Sequence, residues 1–128
     1  MREIKFRAWH KEQQKMYSAE ELGKDQMTIM PDGRGFANIS GRDTRLSQID
    51  NGKKMIPLQY TGLKDKNGVE IYEGDILENV YSTRSVEYYC GAWWLMEGKL
   101  NDKPLYGNHH TREVIGNTYE NPELLEEA

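Results

Sequence analysis

Residues 59–77 read QYTGLKDKNGVEIYEGDIL, and the fold is decided there. Two short apolar-aromatic runs flank Lys64-Asp65-Lys66-Asn67-Gly68. Asn67-Gly68 is the strongest turn dipeptide in the chain, because glycine takes positive φ without a Cβ clash and asparagine tolerates it. Val69, Ile71 and Ile76 are apolar positions with polar neighbours, and Gly74-Asp75 marks a bend or bulge before the next strand. The pattern predicts strand, tight turn, short strand, corner and longer strand. This is the grammar of a β-barrel or β-sandwich, and it carries no active-site signature.

The flanks extend the same pattern. Ile4, Phe6 and Ala8 alternate with charged residues, which predicts a strand with one buried face. Lys15-Met16-Tyr17 supplies a partner strand for a hairpin. Ser18 can cap a helix of one or two turns, with Glu21 at the third position and Gly23 as its stop. Residues 24–54 hold scattered apolar side chains and five breakers, with short strands expected at Thr28–Met30 and Gly35–Ile39. Further strands are expected at Ile76–Tyr81, Ser85–Cys90, Ala92–Met96 and Glu113–Tyr119. Residues 99–112 read as a polar loop. Asn121-Pro122 starts a short C-terminal helix, with Asn121 at the N-cap and Pro122 at N1. The division expected is 1–54 and 55–128, or one continuous domain over all 128 residues.

Composition narrows the function classes. Seventeen basic against twenty-one acidic residues give a net charge of -4, which lacks the footprint of general affinity for a phosphate backbone. Cys90 is the one cysteine, so neither an intrachain disulfide nor a cysteine zinc cluster can form. It is expected as a small buried group within a β-run. No apolar run reaches the roughly 20 residues of a membrane span, and residues 1–6 carry no signal-peptide core. A cytoplasmic protein without membrane contact is expected.

Three segments together resemble the YopX family of small bacteriophage and prophage proteins. They are Arg2–Trp9, Gln59–Ile76 and Val114–Leu124, in the family's order. His10 stands where the family commonly has Asp, and Thr118 where it commonly has Ile. The resemblance implies a mainly β protein: a small SH3-like barrel in the C-terminal part, a variable N-terminal hairpin or arm, and a short C-terminal helix. It implies phage or prophage origin. It implies no activity, cofactor or catalytic residue.

Three constellations are chemically suggestive. His109-His110, with Asp102 and His10, is the cluster with metal-ligand chemistry, but a site needs three or four convergent ligands. Tyr60, Tyr89, Trp93 and Trp94, with Arg84 and Arg112, form a candidate aromatic and basic binding face of the kind that stacks single-stranded bases. Adjacent aromatics on a strand point to opposite faces, so one of each pair belongs to the core and the other to a contact surface. Asp65, Glu70, Glu73, Asp75 and Glu78 could hold a divalent ion or serve as an acid/base pair, against a plainer role in turns and polar faces. The leading expectation is a non-enzymatic binding or assembly module that self-associates or takes an unidentified protein partner. Single-stranded nucleic-acid binding and a divalent-metal hydrolase are the alternatives. No cofactor is expected.

Overall fold

A computed structural model describes residues 3–33, 35–38, 49–50, 55–97 and 102–125. The described residues are mainly β, in antiparallel sheets with little helix. They fall into two compact units, Lys5–Gln59 and Tyr60–Ala128, the latter with Met1–Ile4. Among the described residues no helix is long and apolar enough to cross a membrane.

The first unit opens with the expected hairpin. β1 (Phe6–His10) pairs with β2 (Lys15–Tyr17), and β1 also pairs with the first half of β6 (Met55–Lys64). Helix α1 (Ala19–Lys24) begins in a full capping box: Ser18 Oγ accepts from Glu21 N at 3.1 Å, and Glu21 Oε1 accepts from Ser18 N at 3.2 Å. Gly23 lies inside this helix rather than ending it. β3 (Met27–Ile29), β4 (Phe36–Asn38) and β5 (Ile49–Asp50) form a small antiparallel sheet. Ile39, where the second of the expected short strands was to end, lies outside the described residues. Ala8, Leu22, Phe36 and Met55 make the core of this unit.

The second unit is built on the stretch quoted first. The second half of β6 pairs with β7 (Glu70–Tyr72) across the Asp65–Gly68 turn, which Gly68 N closes by donating to Asp65 O at 3.0 Å. Gly68 takes the positive φ of 81°. β8 (Asp75–Glu78), β9 (Thr83–Tyr89), β10 (Ala92–Met96), β11 (Lys103–Pro104) and β12 (Glu113–Asn117) form a five-stranded antiparallel sheet in the order β11-β10-β9-β8-β12. Ile71, Leu77, Val86, Leu95 and Leu105 are its fully buried core. Leu105 shows that the segment read as a polar loop contributes to the core.

Four local readings change. β8 stops at Glu78 instead of reaching Tyr81, because Asn79 turns the chain. Its Oδ1 accepts from Tyr81 N at 2.9 Å and Ser82 N at 3.0 Å. Cys90 is exposed, because it sits with φ 50° in the two-residue turn between β9 and β10. β12 ends at Asn117, whose Oδ1 accepts from Tyr119 N and Glu120 N and bends the chain away. Where a C-terminal helix was expected, Pro122–Leu125 is a single 3-10 turn.

Candidate binding face on the five-stranded sheet

The register of β8, β9 and β10 sorts their side chains onto two faces. Leu77 lies opposite Arg84, Val86 opposite Leu95, and Tyr88 opposite Trp93. By strand alternation these share the core side. Ile76 lies opposite Ser85, Glu78 opposite Thr83, Glu87 opposite Trp94, and Ser85 opposite Met96. These share the other side, with Tyr89.

That second side carries a groove of about 630 Å³. Thr83, Ser85 and Glu87 line it from β9, Met96 and Glu97 from the end of β10, and Glu78 from β8. The Asn79–Ser82 turn and Leu125 of the terminal 3-10 turn complete the lining. The tip residues Val80 and Tyr81 are 91% and 89% exposed. Two large side chains thus stand side by side in solvent on a hydrogen-bonded turn.

The groove's charge is one-sided. Glu78, Glu87 and Glu97 line it, and among the described residues no basic side chain does. Glu78 accepts from Thr83 Oγ1 at 3.3 Å and Glu87 from Ser85 Oγ at 3.0 Å, so both are held by neutral hydroxyls. Glu97 pairs with Arg84 at 3.1 Å.

The arginines lie beneath. Arg84 and Arg112 are buried, at 5% and 3% exposure. Arg84 Nε donates to Ser82 Oγ at 3.1 Å and Arg112 Nη2 to the same oxygen at 2.9 Å, while Arg112 Nη1 donates to Ser82 O at 3.1 Å. Burial first, and then the neighbouring Arg84, push the Arg112 guanidinium below its ordinary range, against the pull of Glu97.

The aromatic and basic set read from the sequence therefore divides. Tyr60 is buried and packs on Tyr72, with ring centroids 5.4 Å apart. Arg84 and Arg112 serve the hairpin from inside. Trp93 is half-buried against the core and meets Tyr88 edge-on at 4.9 Å. Tyr89 and Trp94 pair on the open side at 5.4 Å, and Trp94 Nε1 donates to Tyr89 O at 3.0 Å. The Tyr89 hydroxyl donates a hydrogen bond to the Asp102 carboxylate, which raises the phenol above its usual range and lowers the carboxyl.

His109 and His110 lie on a 3-10 turn with their rings edge-on at 5.4 Å. His109 Nδ1 is 2.7 Å from Lys64 O, and since a carbonyl only accepts, Nδ1 carries the proton. Among the described residues no group of three or more His, Cys, Asp or Glu side chains is placed to hold a metal ion. Of the carboxylates around the central hairpin, Asp65 and Asp75 accept from backbone amides.

Sequence reasoning missed the groove because it ran β8 on through Val80 and Tyr81. The usable signal was Asn79 followed by Ser82-Thr83, a polar trio bracketing two apolar residues at turn spacing.

Comparison with known proteins agrees with this architecture. A crystal structure of protein EF1440 from Enterococcus faecalis superposes with a TM-score of 0.63 and 26% identity, covering 98% of this chain and 99% of that one. The crystal structure of yopX from Bacillus subtilis superposes with a TM-score of 0.60 and 20% identity, covering 100% and 99%. No curated protein sequence matches. The sequence matches the family described as YopX protein over residues 5–126, and the chain belongs to that family.

Proposed function

We propose that this chain is a non-catalytic binding module of phage or prophage origin, working in the bacterial cytoplasm, with an SH3-like barrel in its C-terminal part. The outer side of β8, β9 and β10 is its contact surface for protein. One observation carries this reading: Val80 and Tyr81, almost wholly exposed, stand on a hydrogen-bonded turn at the rim of a groove of about 630 Å³. Membership of the YopX family is compatible with it and supplies no chemistry that competes.

The test is photo-crosslinking in the host cytoplasm, with benzoylphenylalanine placed at Tyr81 and, separately, at Tyr106. Tyr106 is 80% exposed but lies outside the groove. A discrete adduct from position 81 and none from 106, whether to a second copy or to another protein, is the expected result. Equal labelling from both positions, or none from either, overturns the reading.

A further inference from the structure

We infer that the occupant of this groove is an extended, lysine- or arginine-bearing segment of a partner protein. The inference rests on the contact-surface reading above and names its chemistry. Three observations carry it. The first is the charge of the lining: among the described residues it carries three glutamates, of which Glu97 is paired with the buried Arg84 while Glu78 and Glu87 sit on neutral hydroxyls. A polyanion is repelled there, and a cation is drawn in. The second is spacing. Glu78 lies beside Thr83, and Glu87 is four residues along β9, so the carboxylates spread over about 13 Å at about 3.3 Å per residue. That span exceeds a small cation and matches about four residues of extended chain. Val80, Tyr81, Met96 and Leu125 offer apolar surface for the stems of such side chains, and Tyr81 a ring face for their charge.

The third is independent of the groove's shape. β12 places Glu113 directly opposite Glu78. Like charges at directly opposed positions weaken a strand pair. Negative charge therefore continues from Glu78 onto the neighbouring strand beside the groove, where a basic partner would meet it.

The experiment is an NMR titration of the full chain with three probes: an eight-residue peptide alternating lysine and leucine, its glutamate–leucine counterpart, and oligothymidylate. The lysine peptide is expected to shift amides of Glu78–Ser85, Glu87 and Met96 and the Trp94 indole, with affinity falling as salt rises. Glu78→Gln with Glu87→Gln is expected to weaken it at least tenfold. The charge-matched pair Glu12→Gln with Glu20→Gln, in the other unit, is expected to leave it within twofold. Both pairs replace exposed residues, and the free spectra report their folding. Equal binding of both peptides at this face, or binding unmoved by the Glu78 and Glu87 changes, overturns the basic-segment assignment while the contact surface stands. Stronger binding of oligothymidylate at this face overturns the assignment and the protein-binding reading together. Shifts confined to other surfaces, with no adduct from position 81, also overturn both.

Discussion

Val114 N donates to Asp65 Oδ2 at 2.9 Å, joining the central hairpin's turn to the last strand across 49 residues of chain. The other carboxylate oxygen accepts from Asn67 N at 2.8 Å and Val69 N at 2.9 Å. One buried side chain thus satisfies three backbone donors. Asp65→Asn replaces an acceptor with a second donor and leaves at least one of those amides unmatched. The expected loss of unfolding free energy is about 2 kcal/mol, read from urea denaturation at neutral pH.

The same carboxylate sets a pH dependence. Burial works to raise its pKa, but the three amide bonds outweigh it and hold the folded value below the ordinary one. A lowered folded pKa contributes stability that is complete above the unfolded value of about 3.9. That contribution is lost as pH falls through the folded value. Denaturation midpoints from pH 6 to pH 2.5 are expected to fall more steeply for the wild type than for Asp65→Asn below about pH 4. Parallel profiles would show that this carboxylate is not the coupled group.

Much of this was legible beforehand where local chemistry and the fold ask for the same thing. The Ser18–Glu21 capping box, the β1–β2 hairpin and the Asn67-Gly68 turn are written in neighbouring residues. What was hidden depended on distant partners. Arg84 and Arg112 read as a basic surface, because nothing adjacent announces that they converge on Ser82. Leu105 sits in a polar stretch, and its burial depends on the distant Ile71, Leu77, Val86 and Leu95 that it packs with, while its N–H donates to Trp93 O at 3.1 Å.

Gly116 marks a close approach rather than an unusual backbone. A Cβ there would lie 2.5 Å from Asn121 Oδ1 and 3.0 Å from Leu124 Cδ1. Gly116→Ala is expected to destabilise by about 1–3 kcal/mol. Adding Asn121→Ala should recover part of that cost, giving a non-additive double-mutant cycle. Strict additivity would place the strain elsewhere.

Glu78 and Glu113 supply a stability test separate from binding. Glu78→Lys turns a repulsive cross-strand pair into an attractive one and is expected to stabilise by about 0.2–1 kcal/mol. The same change should abolish binding of the lysine–leucine peptide. A variant that is less stable would show that the two side chains do not meet.

Cys90 belongs to a turn and not to a core. Its φ of 50° is strained for cysteine and natural for asparagine. Cys90→Asn is expected to leave stability unchanged or raise it by up to about 1 kcal/mol. The native protein should react with one equivalent of a thiol reagent without denaturant, since this thiol is exposed. A thiol that reacts only after unfolding would contradict the turn.

The pairing of β12 with β8 has a consequence for how the chain emerges from the ribosome. β8 carries its N–H and C=O groups on an open edge until residues 113–117 arrive to cover them. Those residues are synthesised well after β8, and the turn at Asp65 waits for the same strand. The five-stranded sheet therefore closes only once β12 has emerged, and a chain stalled or clipped before Val114 presents a sticky strand to its neighbours.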